Sequence, residues 1–192
     1  EEERKNEIIK LIGRTAIEAE SLVNRVLELD KSQHEAKLQV DHINIIGFME
    51  QMIEKMQSFA NKKGIKINIM RTAGVCNVNA DKTYLNLIFE NLISNAIKFS
   101  PSDSTIRVMV TNNMDNAKVS IMDDGPGITT EEVPLLFKKF SKLSPRPTAG
   151  ESSTGLGLAL VKRYIELVDG DVYYDTEAKS KGSTFVVILP LA

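Results

Sequence analysis

Asn91-Leu92-Ile93-Ser94-Asn95-Ala96-Ile97-Lys98-Phe99 is the stretch on which the reading of this chain turns. Ile88, Leu92 and Ala96 recur at helical spacing, with Phe89 and Ile93 beside them, so one face of a helix is apolar. Asn91, Asn95 and Lys98 fall at i, i+4 and i+7 and share the opposite stripe. An amide oxygen is a hard ligand suited to Mg²⁺, which keeps most of its waters and takes its other ligands from phosphates. Lys98, one turn on, can meet a phosphate as a point charge. Taken alone, the same stripe is also the pattern of a solvated polar helix face.

Three further blocks follow in fixed order. Asp123-Asp124-Gly125-Pro126-Gly127-Ile128 ends a strand. An ionised carboxylate there is a pure acceptor, able to take a hydrogen bond from the exocyclic amine of adenine. Gly125 and Gly127 let backbone approach the base and supply positive φ; a plain tight turn is the alternative. Phe137-Lys138-Lys139-Phe140 lies on an expected short helix, where Phe137 and Phe140 read as packing residues rather than base stackers. Thr154-Gly155-Leu156-Gly157-Leu158 runs into an apolar-periodic helix. A glycine-rich helix entry exposes backbone N–H groups and the positive dipole end to an anion; a helix-packing glycine pair is the other reading. Neither a Gly-Lys-Ser/Thr phosphate loop nor a GxGxxG fingerprint is present. The four together, with polar residues 129–153 between the second and the fourth, describe an ATP-binding catalytic module. In it a helix brings the metal ligand, a strand end the adenine reader, and a lid closes on the second glycine turn.

Working outward, residues 1–30 read as one helix with Ile8, Ile12, Ala16, Ala19, Leu22, Val26 and Leu29 on a single stripe, which calls for a partner helix. A polar linker is expected to about Gln39. A second amphipathic helix runs from about Ile45 to Asn61 and stops at Lys62-Lys63-Gly64. Ile65 to Ile69 and Val75 to Val78 read as strands, and Asp81 as the N-cap of a helix to about Phe99. Ile106–Val110 and Val119–Met122 form strands joined by a turn through Asn113. Thr129-x-x-Glu132 is a capping box with Pro134 just inside. Residues 141–154, with two prolines and four serines, read as a flexible loop. A helix from about Gly155 to Val168 and a hairpin of Asp171–Tyr174 with Ser183–Leu189 complete an α/β fold, a two-layer sandwich of mixed sheet and three helices with an N-terminal helical appendage. The division falls at 1–44 and 45–192.

The bulk properties agree. At 192 residues, 42% hydrophobic and 26% charged, the chain is expected to be globular. A net charge of −2 makes no electrostatic case for nucleic acid or an anionic membrane surface. The lone Cys76 excludes an internal disulfide and reads as a small buried residue. No apolar run approaches the roughly 18–20 residues of a membrane helix. The start, Glu1-Glu2-Glu3, has neither Met nor signal peptide, so a piece of a longer, cytoplasmically placed chain is expected.

These blocks resemble the N, G1, F and G2 boxes of the sensor histidine kinases, within the group that includes gyrase, heat-shock chaperone and mismatch-repair ATPases. The resemblance covers essentially the whole chain, to the closing Gly182-Ser183-Thr184-Phe185. It implies the Bergerat-type ATP-binding fold, with residues 1–30 similar to the second helix of the dimerisation and phosphoacceptor hairpin. It implies ATP and Mg²⁺ as cofactors, Asn95 on the metal, and Lys98 on phosphate. Phe99 and Ile128 would line the adenine pocket with Gly125 and Gly127, Asp123 would read the base, and Thr184 would support Asp123. Thr154, Gly155, Leu156, Gly157 and Leu158 would close around the phosphates, with Phe140 and Lys142 from the lid side. Lys139 and Lys142 stand where the family often has arginine, and Ser153 where it often has glycine.

The family's acceptor His is absent from its expected context. Only His34, in the linker, and His42, near the start of the second helix, exist, and both read as ordinary exposed or capping residues. The implied partners are therefore a phosphoacceptor helix of the same or a partner chain, a response regulator receiver domain, and a second copy through the N-terminal helix. Hydrolytic members of the group carry a general-base Glu one turn before the metal Asn. Here that position is Asn91, which cannot take a proton, while Glu90 faces about 100° away. Asn91 and Lys98 thus point to phosphoryl transfer to an acceptor that brings its own nucleophile. A degenerate nucleotide-binding module and an anti-sigma-type serine kinase are the alternatives.

Overall fold

The computed structural model describes residues 38–192 apart from 73, 75, 142, 149–153 and 179–180. The helix expected over residues 1–30, its linker with His34, and the candidates Lys142 and Ser153 lie outside the described residues.

Eight apolar residues of helix α1 (Ile45–Ala60) are buried, from Ile45 through Phe48, Met49, Met52 and Met56 to Ala60, so one side of it faces the core. Asn44 caps it: its Oδ1 accepts from the amides of Ile46 (3.1 Å) and Gly47 (3.3 Å). Asn44→Ala leaves those amides without their acceptor, and equilibrium urea unfolding is expected to register a loss of about 1 kcal/mol. A 3-10 turn over Asn61–Lys63 follows, and Gly64 stops it in the left-handed region at φ 67°. Asp81 caps α2 (Lys82–Phe99), accepting from Thr83 N at 2.8 Å. The third helix, α3 (Gly157–Leu167), has no side-chain cap.

Strands β2 (Lys66–Arg71), β4 (Thr105–Asn112), β5 (Asn116–Met122), β6 (Asp171–Tyr174) and β7 (Thr184–Pro190) form a mixed sheet in the order β2-β4-β5-β7-β6. Only β2 and β4 are parallel. Alternate residues Ile106, Val108 and Val110, Val119 and Ile121, and Val187 and Leu189 face inward and are fully buried, beneath the three helices. Tyr84 of α2 and Tyr164 of α3 meet with ring centroids 5.4 Å apart. Asn113 makes the turn between β4 and β5, accepting from Asp115 N and Asn116 N. Cys76 is buried.

Several expectations need correction. Val40–Asn44 is a strand, β1, antiparallel to β3 (Asn77–Asp81). Its mostly polar, exposed sequence carries no strand pattern of its own; pairing with β3 makes it one. His42 therefore sits on a strand opposite Asn79, not at the start of a helix, and it is exposed. β1 lies in the compact unit that begins at Leu38. β3 runs on to Asp81, which ends the strand and caps the helix at once. The short helix expected after Thr129 is only a 3-10 turn, Val133–Leu135. Pro134 brings no N–H to it, and the Glu132 carboxylate accepts from Thr129 Oγ1 (3.3 Å) on one oxygen and from Ser144 N (2.6 Å) and Oγ (2.7 Å) on the other. α3 starts at Gly157 because Gly155 is left-handed at φ 69°. Among the described residues no helix is long and apolar enough to cross a membrane.

Candidate functional site

β5 delivers Asp123 into the interior, where it is 4% exposed. Its backbone N–H donates to Ser183 O at 2.9 Å, and its Oδ1 accepts from Gly125 N (2.8 Å) and Ser183 N (3.0 Å). Both bonds go to one oxygen, so Oδ2 is the acceptor left for another donor. Burial raises the carboxyl pKa; the two backbone amides pull it back, Asp124 adds to the rise and Arg107 opposes it. Arg107 is itself paired with Asp124, NH2 to Oδ1 at 2.7 Å.

The turn around Asp123 has no space for side chains. A Cβ on Gly125 would lie 2.8 Å from Asp123 Oδ1 and 2.9 Å from Phe99 O; one on Gly182 would lie 2.4 Å from Asp123 O and from Gly125 N. Gly127 is left-handed at φ 74°. The first and second blocks thus meet at Phe99 and Gly125, with Phe99 and Ile128 half-buried. Thr184, expected beside Asp123, is buried opposite Met122. The amide on Oδ1 comes from Ser183, one residue earlier.

On α2, Asn91, Asn95 and Lys98 are all half-buried. Asn91 Nδ2 donates to Leu87 O at 2.7 Å. A Cβ on Gly157 would stand 3.0 Å from Asn91 Oδ1 and 4.0 Å from Asn95 Nδ2. The bare glycine therefore lets the start of α3 close on the polar stripe, joining the first block to the fourth. Gly155 meets the third: Phe140 N donates to Gly155 O at 2.9 Å, and a Cβ there would fall 2.6 Å from Ser141 O. Thr154 and Leu158 are half-buried, whereas the Leu156 side chain is fully buried and anchors the block in the core.

The third block corrects the packing expected for Phe140. Phe140 is 62% exposed at φ 61°, so its backbone makes the contact and its ring does not pack; Leu136 is the buried residue of that segment. Lys139 is exposed.

Sequence reasoning missed Ser183 and Gly182 as partners of Asp123, although both directly precede the closing strand. It also missed Ser100. Among the described residues the Ser100 hydroxyl, fully buried next to Phe99, is the buried side-chain group without a hydrogen-bond partner. No His, Cys, Asp or Glu cluster of three among the described residues could hold a metal.

A helix-on-sheet sandwich in which a buried carboxylate at a strand end, an amide-bearing helix stripe and a glycine-entered helix converge defines the histidine-kinase class of ATPase domain. Residues 80–192 match the family described as histidine kinase-, DNA gyrase B- and HSP90-like ATPase, and the chain belongs to it. It is 29% identical over 189 residues, 96% of the chain, to the adaptive-response sensory kinase SasA of Prochlorococcus marinus, of which it covers 49%. The full-length structure of ShkA with AMPPNP is similar at TM-score 0.77 and 28% identity, covering 90% of this chain and 35% of that one. ThkA, in complex with the response regulator TrrA, shares the fold at TM-score 0.75 and 18% identity, covering 92% of this chain and 49% of that one. The chain spans about half or less of the curated relatives it matches.

Proposed function

We propose that residues 45–192 bind Mg–ATP and pass its γ-phosphoryl group to a histidine on a helical hairpin, for onward transfer to a response regulator aspartate. The carrying observation is the convergence on one helix. The α2 stripe begins at Asn91 beside the uncapped start of α3 and ends at Phe99 beside the Asp123 turn, roughly 12 Å away at 1.5 Å per residue. A site with an anion-binding end and a buried acceptor end suits a molecule with phosphates at one end and an amino-purine at the other.

In this reading Asp123 Oδ2 accepts the adenine amine, held by Ser183 and Gly125, and Phe99 and Ile128 flank the base. Asn95 ligates Mg²⁺, and Lys98 meets phosphate. The backbone from Thr154 to Leu158 donates at the phosphates, joined by Lys142. The nucleotide supplies the phosphoryl group, and the cation neutralises the charge of its transfer. Asn91 has no basic oxygen to activate water, which favours transfer over hydrolysis. The SasA and ShkA likenesses support the class, and the ThkA–TrrA complex supports a receiver domain as partner. A phosphoacceptor helix, self-association through residues 8–29 and a cytoplasmic setting belong to the same proposal.

Incubation with γ-labelled ATP tests it. The chain alone should stay unlabelled, while a supplied hairpin helix bearing a histidine in the family context should acquire acid-labile label. Label on His34 or His42, or no label on the supplied helix although ATP binds, would overturn the proposal.

A further inference from the structure

Asp123 and Asp124 stand side by side just past the end of β5, and their carboxylates are held by different parts of the sheet. Asp123 is tied to Gly125 and to Ser183, which leads into β7. Asp124 is tied to β4. Arg107 Nη2 donates to its Oδ1 at 2.7 Å, and Thr105 N donates to its Oδ2 at 3.4 Å. The pairing of β4 with β5 ends with Arg107 opposite Met122, so the next pair in step would set Thr105 opposite Asp124. There the Asp124 side chain takes an amide that a continued ladder would have given to backbone, so the end of β4 keeps an acceptor.

Arg107 is placed for this by the strand period. Ile106 and Val108, on either side of it, are fully buried beneath the helices, so Arg107 projects from the opposite face of the sheet. Its neighbours across the strands, Asn68 of β2 and Met122 of β5, carry no charge, and its ion pair is with Asp124. Both side chains are partly covered, Arg107 being 37% and Asp124 24% exposed. A charge-assisted hydrogen bond in that setting is stronger than a neutral one and less screened than at an open surface. Without the guanidinium, Asp124 would keep only the long contact to Thr105 N, and its charge would stand unbalanced beside Asp123. Burial is the main cause that raises the Asp123 carboxyl pKa; of the neighbouring charges, Asp124 adds to the rise and Arg107 opposes it.

We propose that Arg107 and Asp124 are positioning residues for base recognition: their ion pair fixes the chain just after Asp123, and with it the direction in which Asp123 Oδ2 meets an adenine amine. The inference rests on the reading of Asp123 as the acceptor for that amine. Neither residue touches the nucleotide in this arrangement. Loss of their bond therefore weakens the contact made by Asp123 and spares the phosphate contacts of Asn95 and the α3 entry.

Inosine triphosphate is the probe, because it has the sugar and phosphates of ATP and lacks the exocyclic amine. Calorimetric titration with Mg²⁺ present should show the unsubstituted chain binding ATP more tightly than inosine triphosphate. Arg107→Met should weaken ATP about three- to tenfold, the range of one ordinary hydrogen bond, and leave inosine triphosphate within about twofold. Arg107→Lys should return ATP affinity to near its original value, since one guanidinium nitrogen makes the contact and an ammonium can replace it. Asp124→Ala should match Arg107→Met, and the double variant should be no weaker than the weaker single one, because the two share one interaction. A merely structural role would lower both nucleotides together. Equal losses for the two nucleotides, no loss for ATP, additive effects, or Arg107→Lys no better than Arg107→Met would overturn the assignment. Should Arg107→Met fail to fold by thermal melt, Arg107→Gln, which keeps a neutral donor, takes its place under the same outcomes. Equal affinity of the unsubstituted chain for ATP and inosine triphosphate would remove Asp123 from base reading, and the role of Arg107 with it. A preference for ATP that survives Arg107→Met undiminished defeats the positioning role alone.

Discussion

Asp123→Asn is expected to weaken ATP binding ten- to a hundredfold while leaving the protein at least as stable as before. A hydrogen bond to a charged acceptor contributes about 1.5–3 kcal/mol, which sets that range. The asparagine keeps an oxygen for the amides of Ser183 and Gly125, so the turn retains its ties. What it discards is a charge that is costly to bury. Because burial holds the Asp123 carboxyl above its ordinary pKa, the folded chain binds that proton more tightly than the unfolded one. Stability from this group is therefore greatest at low pH and is lost as pH rises from the unfolded pKa through the raised folded one. Above the raised folded pKa the folded state carries the whole penalty, and the asparagine removes it. Thermal melts at pH 7 should show the variant equal or higher, with the advantage vanishing in acid. Calorimetric titration should show the loss for ATP, and GTP should bind weakly to the unsubstituted chain. Equal ATP and GTP affinities, or an unaffected variant, would remove Asp123 from the base-reading role.

Gly182→Ala should be the most damaging single methyl in this region. Its Cβ would sit 2.4 Å from both Asp123 O and Gly125 N, and 2.6 Å from Asp123 Oδ1. Two of these atoms are backbone in a turn tied to β7, so neither can step aside without displacing the carboxylate. Overpacking of this kind costs about 1–3 kcal/mol, and urea unfolding should show it together with a loss of nucleotide affinity exceeding that of Asp123→Asn. Gly47→Ala is the contrast. Gly47 is helical, and nothing lies closer to its Cβ position than Asn44 Cγ at 4.0 Å. Alanine there should stabilise by about 0.5–1 kcal/mol through helix propensity. A Gly182→Ala variant as stable as the Gly47→Ala one would contradict the packing described around Asp123.

Much of the fold and the outline of the site were legible in the chain because their causes are local. Helical periodicity aligns Asn91, Asn95 and Lys98 whatever surrounds them. Asp81 caps the helix that begins at the next residue, Gly64 ends a helix by its own freedom at positive φ, and Asn113 closes a turn onto amides two and three residues on. The glycine blocks were legible for the same reason: their type and spacing are written in a few consecutive residues. Tertiary structure decided the rest. It made a strand of Val40–Asn44 by pairing it with β3 and took Phe140 out of the packing. It also left only a 3-10 turn after Thr129 and tied Glu132 to a serine twelve residues on. It brought Ser183 and Gly182 onto Asp123 from 60 residues away, and Thr148 onto Lys98 and Lys63 from 50 and 85. A backbone amide or a lysine carries no local mark of its distant partner, since that partner is set by which strands pair and which helix ends face one another.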